Sequence, residues 1–479
     1  MNLDIVIMAA GKGTRMKSKL PKVLHKLAGR ALLGHVLATA AQLKPRRMIL
    51  ITGHDAPKVI AFSADFMPAS GSFDLKNVLQ EPQLGTGHAV QQAVPELGHE
   101  GMTLILNGDV PLIEVQTLLD LTRACAGQQL ALLTVQDGDP SGYGRIVRGG
   151  SFGGDAVQAI VEHKDATPAQ RDIQEWYSGV MAAPTAQLKT WLSQLTNNNS
   201  QGEYYLTDIV KMAALDGTGC VALKTSDGLQ VAGVNSPVQL QELERAYQKR
   251  AAYRLMEQGV RIMDAARFDL RGDLLVGQDV SIDVGCIFEG SVKLADNVSI
   301  GAHCVIANCA IGTGAVIHPF THIDGGQAVN SKANGGQAGV TVGSGSLIGP
   351  YARLRPGAQL GEEVHIGNFV EVKNATLAKG AKANHLAYLG DATVGERVNY
   401  GAGSITANYD GANKHRTVIE ADVHIGSNCV LVAPVKIGAG GTVGAGSTIT
   451  KDTAAGALSV ARGKQMSIDN WKRPAKKKT

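Results

Sequence analysis

The residues best suited to chemistry stand close to the start of the chain. Ile5-Val6-Ile7 is an apolar run with the pattern of a short buried strand. It leads into Met8-Ala9-Ala10-Gly11-Lys12-Gly13-Thr14-Arg15-Met16, with Pro21-Lys22 beyond. Small side chains and two glycines let a backbone come close to a ligand. Backbone N–H groups in such a turn, with Arg15 and Lys22 beside them, make an anion site fit for a triphosphate. The general phosphate-loop spacing is absent, and Met16 stands where a dinucleotide loop would carry its third glycine.

A second group of polar residues lies far along the chain. Arg353-Leu354-Arg355-Pro356-Gly357 is followed by Gly367-Asn368-Phe369-Val370-Glu371-Val372-Lys373, then by His385-Leu386-Ala387-Tyr388 and Asn399-Tyr400-Gly401-Ala402-Gly403. Arg355 and Lys373 suit a phosphate, and Tyr388 and Asn399 suit hydroxyl groups. Imidazole titrates near operating pH, so His385 suits the removal of a proton from an amine attacking a thioester. Glu371 would orient that imidazole, and a backbone N–H near Ala402 would stabilise the oxyanion.

Two kinds of element must hold these groups. In the first half, apolar strands (Leu3–Met8, Met48–Thr52, Met102–Leu106, Ala131–Val135) alternate with helical segments such as Leu32–Gln42 and Gln116–Cys125. This is the pattern of a mostly parallel sheet with helices on both faces, which binds ligands beyond the carboxyl ends of its strands. From about Leu275 the period becomes six: Val276, Ile282, Phe288, Leu294, Ile300 and Ile306, then Val342, Ile348, Leu354, Leu360, Ile366 and Val372, then Ile425, Leu431, Ile437, Val443 and Ile449. Neither a helix nor a lone strand repeats at six, whereas hexapeptide repeats build parallel β-helices with an inward aliphatic ladder. The resulting division is residues 1–235, a connecting helix over 236–258, and residues 259–479. Asp324 to Gly339, rich in Gly, Asn, Gln and Ser, reads as a loop extruded from a coil.

Composition narrows the classes. A chain of 479 residues with a formal charge of +4 carries no general attraction for nucleic acid or membranes. Its dense basic cluster, Lys472-Arg473 and Lys476-Lys477-Lys478, reads as a solvated tail. Six scattered cysteines without a CxxC pair argue against a zinc ribbon or disulfide framework and suit a reducing cytoplasm. The strand-like N-terminus is no signal peptide, and no apolar run is long enough to span a membrane.

The string AAGKGTRM with PK beyond it resembles the sugar-phosphate nucleotidyltransferases. Further matches follow in order: Gln80, Leu84-Gly85-Thr86-Gly87, Gly108-Asp109-Val110-Pro111, Gly142-Tyr143-Gly144-Arg145, Glu162-His163-Lys164-Asp165 and Gly202-Glu203-Tyr204-Tyr205. Over nearly the whole chain the order of motifs is similar to the bacterial bifunctional N-acetylglucosamine-1-phosphate uridylyltransferases/glucosamine-1-phosphate acetyltransferases. The resemblance implies an α/β Rossmann-like nucleotidyltransferase domain followed by a left-handed parallel β-helix. It also implies a homotrimer, and UTP, acetyl-CoA, glucosamine-1-phosphate and N-acetylglucosamine-1-phosphate as substrates.

The same resemblance implies Asp109 and Asn235 as Mg²⁺ ligands, Arg15 and Lys22 on phosphates, and Met8, Ala9, Ala10 and Gly11 around the nucleotide. Gln80, Gly85 and Thr86 would read the pyrimidine, and Gly144 and Glu162 the sugar. In the acetyltransferase half it implies Ala402, Asn408, Tyr409, Ser427, Ala445 and Arg462 as acetyl-CoA contacts, with Lys414 reaching a neighbouring subunit's site. Two positions depart from the family: Asn107 stands where a Tyr is usual, and Tyr177 where a sugar-contacting Asn is usual. A competing expectation is a single-activity nucleotidyltransferase whose β-helix only oligomerises.

Overall fold

The computed structural model describes residues 2–66, 74–136, 139–149, 155–326 and 339–474. Most of the expected 324–339 loop, and the cluster Lys476-Lys477-Lys478, lie outside them. The chain divides into two compact units, Met1–Tyr247 and Gln248–Thr479. The division falls within the helix at Pro237–Glu257.

In the first unit the apolar runs form β1 (Leu3–Met8), β2 (Arg47–Thr52), β3 (Leu75–Leu79), β4 (Met102–Asn107), β5 (Leu130–Val135), β6 (Arg145–Arg148), β7 (Val157–Val161), β8 (Trp176–Pro184) and β9 (Cys220–Thr225). They form one sheet in the order β9-β5-β8-β4-β1-β2-β3, with β6 pairing β8 and β7. Neighbours β4, β1, β2 and β3 are parallel. β8 runs antiparallel between β4 and β5. Its direction is reversed because β6 and β7 form an antiparallel hairpin before it, so no crossover helix restores the parallel sense.

Helices α1 (Leu32–Gln42) and α2 (Val115–Cys125) bury Leu33, Val36, Leu37, Leu118 and Leu121 against one face of the sheet. Helices α3 (Thr185–Ser193) and α4 (Asp208–Leu215) cover the other with Leu188, Trp191, Ile209 and Val210. Both faces are therefore covered, and the open edge is the row of loops after β1, β2, β3 and β4. Because β8 is antiparallel, it brings its first residues to the same edge.

The second unit is a parallel β-helix of short strands. The period-six residues point inward: Ile282, Ile348, Leu354, Ile366, Val372, Ile425, Leu431 and Val443 are all fully or almost fully buried. Each coil crosses three faces. The first carries His365–Asn368, Lys382–His385, Asn399–Tyr400 and His424–Ile425. The second carries Arg353–Leu354, Glu371–Lys373 and Tyr388–Gly390. The third carries Gln359–Leu360, Thr376–Leu377 and Ala392–Val394. Of the six free cysteines, all but Cys220 are buried.

Candidate active sites

The loops at the edge of the first sheet surround a cavity of about 1000 Å³. Its wall includes Met8, Ala9, Ala10, Gly11, Lys22, Gln80, Gly85, Thr86, Asn107 and Asp109, ten of the residues expected from sequence. The first loop folds back on itself through Gly13, whose φ is +59°. A Cβ at Gly13 would stand 2.7 Å from the Lys22 Cβ, so only glycine lets Lys22 cross so closely. Lys22 Nζ reaches Asp109 Oδ2 at 2.5 Å and Asn235 Oδ1 at 3.1 Å. Two oxygens from distant parts of the sequence thus converge on one cation. This donor set fits a small hard metal ion, which takes few protein oxygens.

Across the cavity, Gln80 Nε2 donates to the Gly85 carbonyl at 3.0 Å, and Gln83 Nε2 donates to the Ala10 carbonyl at 2.7 Å. Lys12, quoted in the loop motif without a role, and Gln83, outside every motif, also line the wall. Arg15 is exposed and outside that wall; the Tyr143 phenol is raised by burial and by Asp109, and the charge of Arg15 opposes that rise. Glu162 accepts from Thr207 Oγ1 at 2.8 Å, and burial pushes its carboxyl above the usual range. Gly144 lies close by: a Cβ there would be 3.7 Å from Glu162 Oε1.

Tyr177 departs from its expected place. It packs in the core, 7% exposed, and its hydroxyl is sealed and has no hydrogen-bond partner among the described residues. Its backbone N–H still donates to the Gly144 carbonyl at 2.9 Å.

In the β-helix, a second cluster forms on the second face. Arg355 Nη1 contacts Glu371 Oε1 at 2.7 Å, with Arg353 3.5 Å from the other carboxylate oxygen. Lys414 beside Lys373 lowers the Lys373 ammonium below the ordinary lysine value, with burial and Arg355 adding to the effect. Three cations thus crowd one place, which is an arrangement for an anion. Tyr388 joins them, its phenol raised chiefly by burial, with Asn408, Asp391 and Glu371 around it. Asn374 and Asn408 both donate to Asp391, which the sequence reading did not single out. The expectation for Lys414 was a neighbouring subunit's site; here it lies beside Lys373 of its own chain.

His385 stands exposed at the end of a first-face strand. Its Nδ1 shares a 2.9 Å hydrogen bond with Asn368 Oδ1, one coil earlier. With Asn368 Oδ1 as the acceptor, Nδ1 is the donor and Nε2 is left free to accept a proton. The orienting partner is therefore Asn368 rather than Glu371, whose carboxylate is taken by arginines.

Strand register carries the His385 corner onward. Lys382 pairs Asn399, Asn399 pairs His424, His424 pairs Thr442 and Thr442 pairs Leu458. Three residues on from each, His385, Ala402, Ser427, Ala445 and Ala461 stack in one column. Arg462 follows it and donates to the Ala445 carbonyl at 2.8 Å. The Ala402 N–H has no acceptor among the described residues, whereas its carbonyl accepts from Asn428 at 2.7 Å. Tyr409 and Lys414 form an antiparallel bridge in the loop between two coils. Asn399 does not join this cluster: it begins its first-face strand, a strand's length from His385, and its amide contacts His424 at 3.3 Å.

A three-layer nucleotide-type domain followed by a hexapeptide β-helix defines a two-part transferase. Residues 5–262 match the MobA-like NTP transferase domain family, and residues 339–374 and 416–451 match the bacterial transferase hexapeptide (six repeats) family. The chain is 68% identical to the bifunctional protein GlmU of Albidiferax ferrireducens, covering 99% of this chain and all of that protein. It is 67% identical to GlmU of Acidovorax ebreus and 53% identical to GlmU of a Janthinobacterium strain, again over 99% of this chain and 98% and 99% of theirs.

The chain belongs to the bifunctional GlmU family. It is a nucleotidyltransferase and an acyltransferase in one polypeptide, and it makes UDP-N-acetylglucosamine in two transfers. The single-activity alternative is not favoured. Among the described residues no helix is long and apolar enough to cross a membrane.

Proposed function

We propose that the β-helix acetylates glucosamine-1-phosphate from acetyl-CoA, and that the N-terminal domain then couples the product to UMP drawn from UTP. In the first transfer, Arg355, Lys373 and Lys414 hold the sugar phosphate, and Tyr388 holds a hydroxyl. The sugar amine attacks the thioester carbonyl while His385 Nε2 takes its proton. The Ala402 N–H faces the developing oxyanion, the C–S bond breaks and the CoA thiolate leaves. Ser427, Ala445 and Arg462 extend the slot for CoA, with Asn408 and Tyr409 beside it.

In the second transfer, a phosphate oxygen of N-acetylglucosamine-1-phosphate attacks the α-phosphorus of UTP in line, and pyrophosphate leaves. The nucleophile is already anionic, so positioning and charge neutralisation carry the catalysis. Lys22 binds phosphate at the reaction centre and Arg15 meets the leaving pyrophosphate. Gln80, Gly85 and Thr86 read the base, while Gly144 and Glu162 hold the sugar. Asp109 and Asn235 would hold Mg²⁺, which when bound neutralises phosphate charge.

A trimer fits this reading, since Asn399 stands apart from the rest of the acetyl site and a neighbouring copy would bring one into range. The helix at Pro237–Glu257 is the connector between the catalytic halves. Nucleotide and CoA substrates, with free thiols, suit the cytoplasm.

The observation that carries the two-step reading is the geometry of His385. A scaffold has no use for an exposed imidazole held by Asn368 at one nitrogen with the other nitrogen left free. Product analysis by mass spectrometry, with glucosamine-1-phosphate, acetyl-CoA, UTP and Mg²⁺ each omitted in turn, tests it. UDP-N-acetylglucosamine should require all four. Product only from supplied N-acetylglucosamine-1-phosphate would refute the acetyl-transfer roles.

A further inference from the structure

Asp391 is 7% exposed, a nearly buried carboxylate with no part in the transfers described above. It turns a corner of the β-helix directly after the strand Tyr388–Gly390, with a φ of +47°. Its backbone N–H donates to the Lys373 carbonyl at 3.1 Å, and its carbonyl accepts from the Thr417 N–H at 3.1 Å. Asn374, seventeen residues earlier, and Asn408, seventeen residues later, each follow a second-face strand in the same way, after Glu371–Lys373 and Ile405–Ala407. Asn374 Nδ2 donates to Asp391 Oδ1 at 2.5 Å, and Asn408 Nδ2 donates to Asp391 Oδ2. One carboxylate thus takes an amide from the coil on either side.

A carboxylate stays charged in such a place only if donors satisfy it. The two amides do so, and the carboxylate fixes them in turn. For Asn408 it decides which way the amide faces, because a flipped amide would set its oxygen against the carboxylate. Asn408 Oδ1 is therefore turned away from Asp391, and no group among the described residues donates to it. The same amide stands beside the Tyr388 phenol. From Asn408 the chain leaves the coil as a hairpin, where Tyr409 bridges Lys414 and the His415 N–H returns to the Asn408 carbonyl at 2.8 Å. Backbone bonds close that hairpin, so Asp391 governs the Asn408 side chain rather than the course of the loop.

We propose that Asp391 is a positioning residue for acetyl transfer: it holds the Asn408 amide with its oxygen free to accept a hydrogen bond from an N–H of acetyl-CoA. This rests on the acetyl-transfer reading above.

Steady-state acetyl transfer by the full chain tests it. Asp391→Ala removes both acceptor oxygens, so the Asn408 amide loses its fixed orientation. KM for acetyl-CoA should rise roughly 3- to 12-fold, the worth of one hydrogen bond, with kcat within about twofold. KM for glucosamine-1-phosphate should not rise, because the lost charge is negative and lies beside the cations that hold the phosphate. Asn374→Ala takes the other amide from the same carboxylate. It should lower the melting temperature and leave KM for acetyl-CoA within about twofold. In an Asn408→Ala chain, adding Asp391→Ala should raise that KM no further. An unchanged acetyl-CoA KM in Asp391→Ala, an equal rise in both KM values, or a collapse of kcat would each overturn the assignment. So would an equal rise in Asn374→Ala or a further rise in the double variant, since either marks a residue that only holds the coils together. Absence of acetyl transfer in the unaltered chain would refute the underlying reading, and is seen without any variant.

Discussion

Single residues govern the two chemistries through contacts that can be broken separately. Asp109 holds Lys22 and sits opposite Asn235, so Asp109→Ala removes a charge from the reaction centre and frees the ammonium it pairs with. Uridylyl transfer should fall by about 100-fold or more, read as pyrophosphate released from UTP and N-acetylglucosamine-1-phosphate, while acetyl transfer persists.

Glu162 makes a pH-dependent contribution. Burial raises its carboxyl in the folded chain, so the folded state favours the protonated form. That stabilisation is complete below the unfolded value of about 4.3 and is lost as pH rises through the folded pKa. At neutral pH the buried carboxylate is therefore a cost. Glu162→Gln should raise the melting temperature by roughly 1–4 °C at pH 7, and the gain should shrink towards zero near pH 4. The same variant should weaken sugar binding. Melting curves over pH, set beside the sugar KM, check both parts.

At the scale of elements, the β-helix places its chemistry by stacking. Asn368 lies exactly one coil before His385, seventeen residues earlier, whereas the step from Asn399 to His424 takes twenty-five. The extra length in that coil forms the loop that carries Asn408, Tyr409 and Lys414 out to the cation cluster. Ile366 is 1% exposed on the inward ladder, one coil before the His385 strand. Ile366→Ala should cost about 2–4 kcal/mol. Because coils depend on their nearest neighbours, heating this variant should abolish acetyl transfer at a lower temperature than uridylyl transfer. Equal inactivation temperatures would show that the coils do not act as a separate unit.

For the molecule as a whole, the question is how the acetyl site is completed. Arg355, Lys373 and Tyr388 share one face, and Asn399 begins a strand on another. If neighbouring copies share the site, Tyr388→Ala and Asn399→Ala chains, each inactive alone, should regain part of their acetyl transfer when co-assembled. No recovery in mixed assemblies would mean that each chain works alone. His385→Ala should lower acetyl transfer by roughly 100- to 10,000-fold and still permit UDP-N-acetylglucosamine synthesis when the acetylated sugar phosphate is supplied.

Much of this was legible in the amino-acid order. The period of six requires a β-helix, since inward aliphatic side chains recur at that spacing only when coils stack. The glycine-rich loop after β1, with Lys22 beyond it, requires an anion site because its backbone can approach a ligand and its cations are local. Such features depend on residues near one another in the chain. The tertiary structure decided what depends on distant partners. It turned β8 antiparallel, gave His385 to Asn368 and Glu371 to Arg355, sealed the Tyr177 hydroxyl in the core, and left Asn107 facing the cavity. Coil length and strand direction set those pairings, and both follow from how turns and hairpins close in space rather than from any local pattern of side chains.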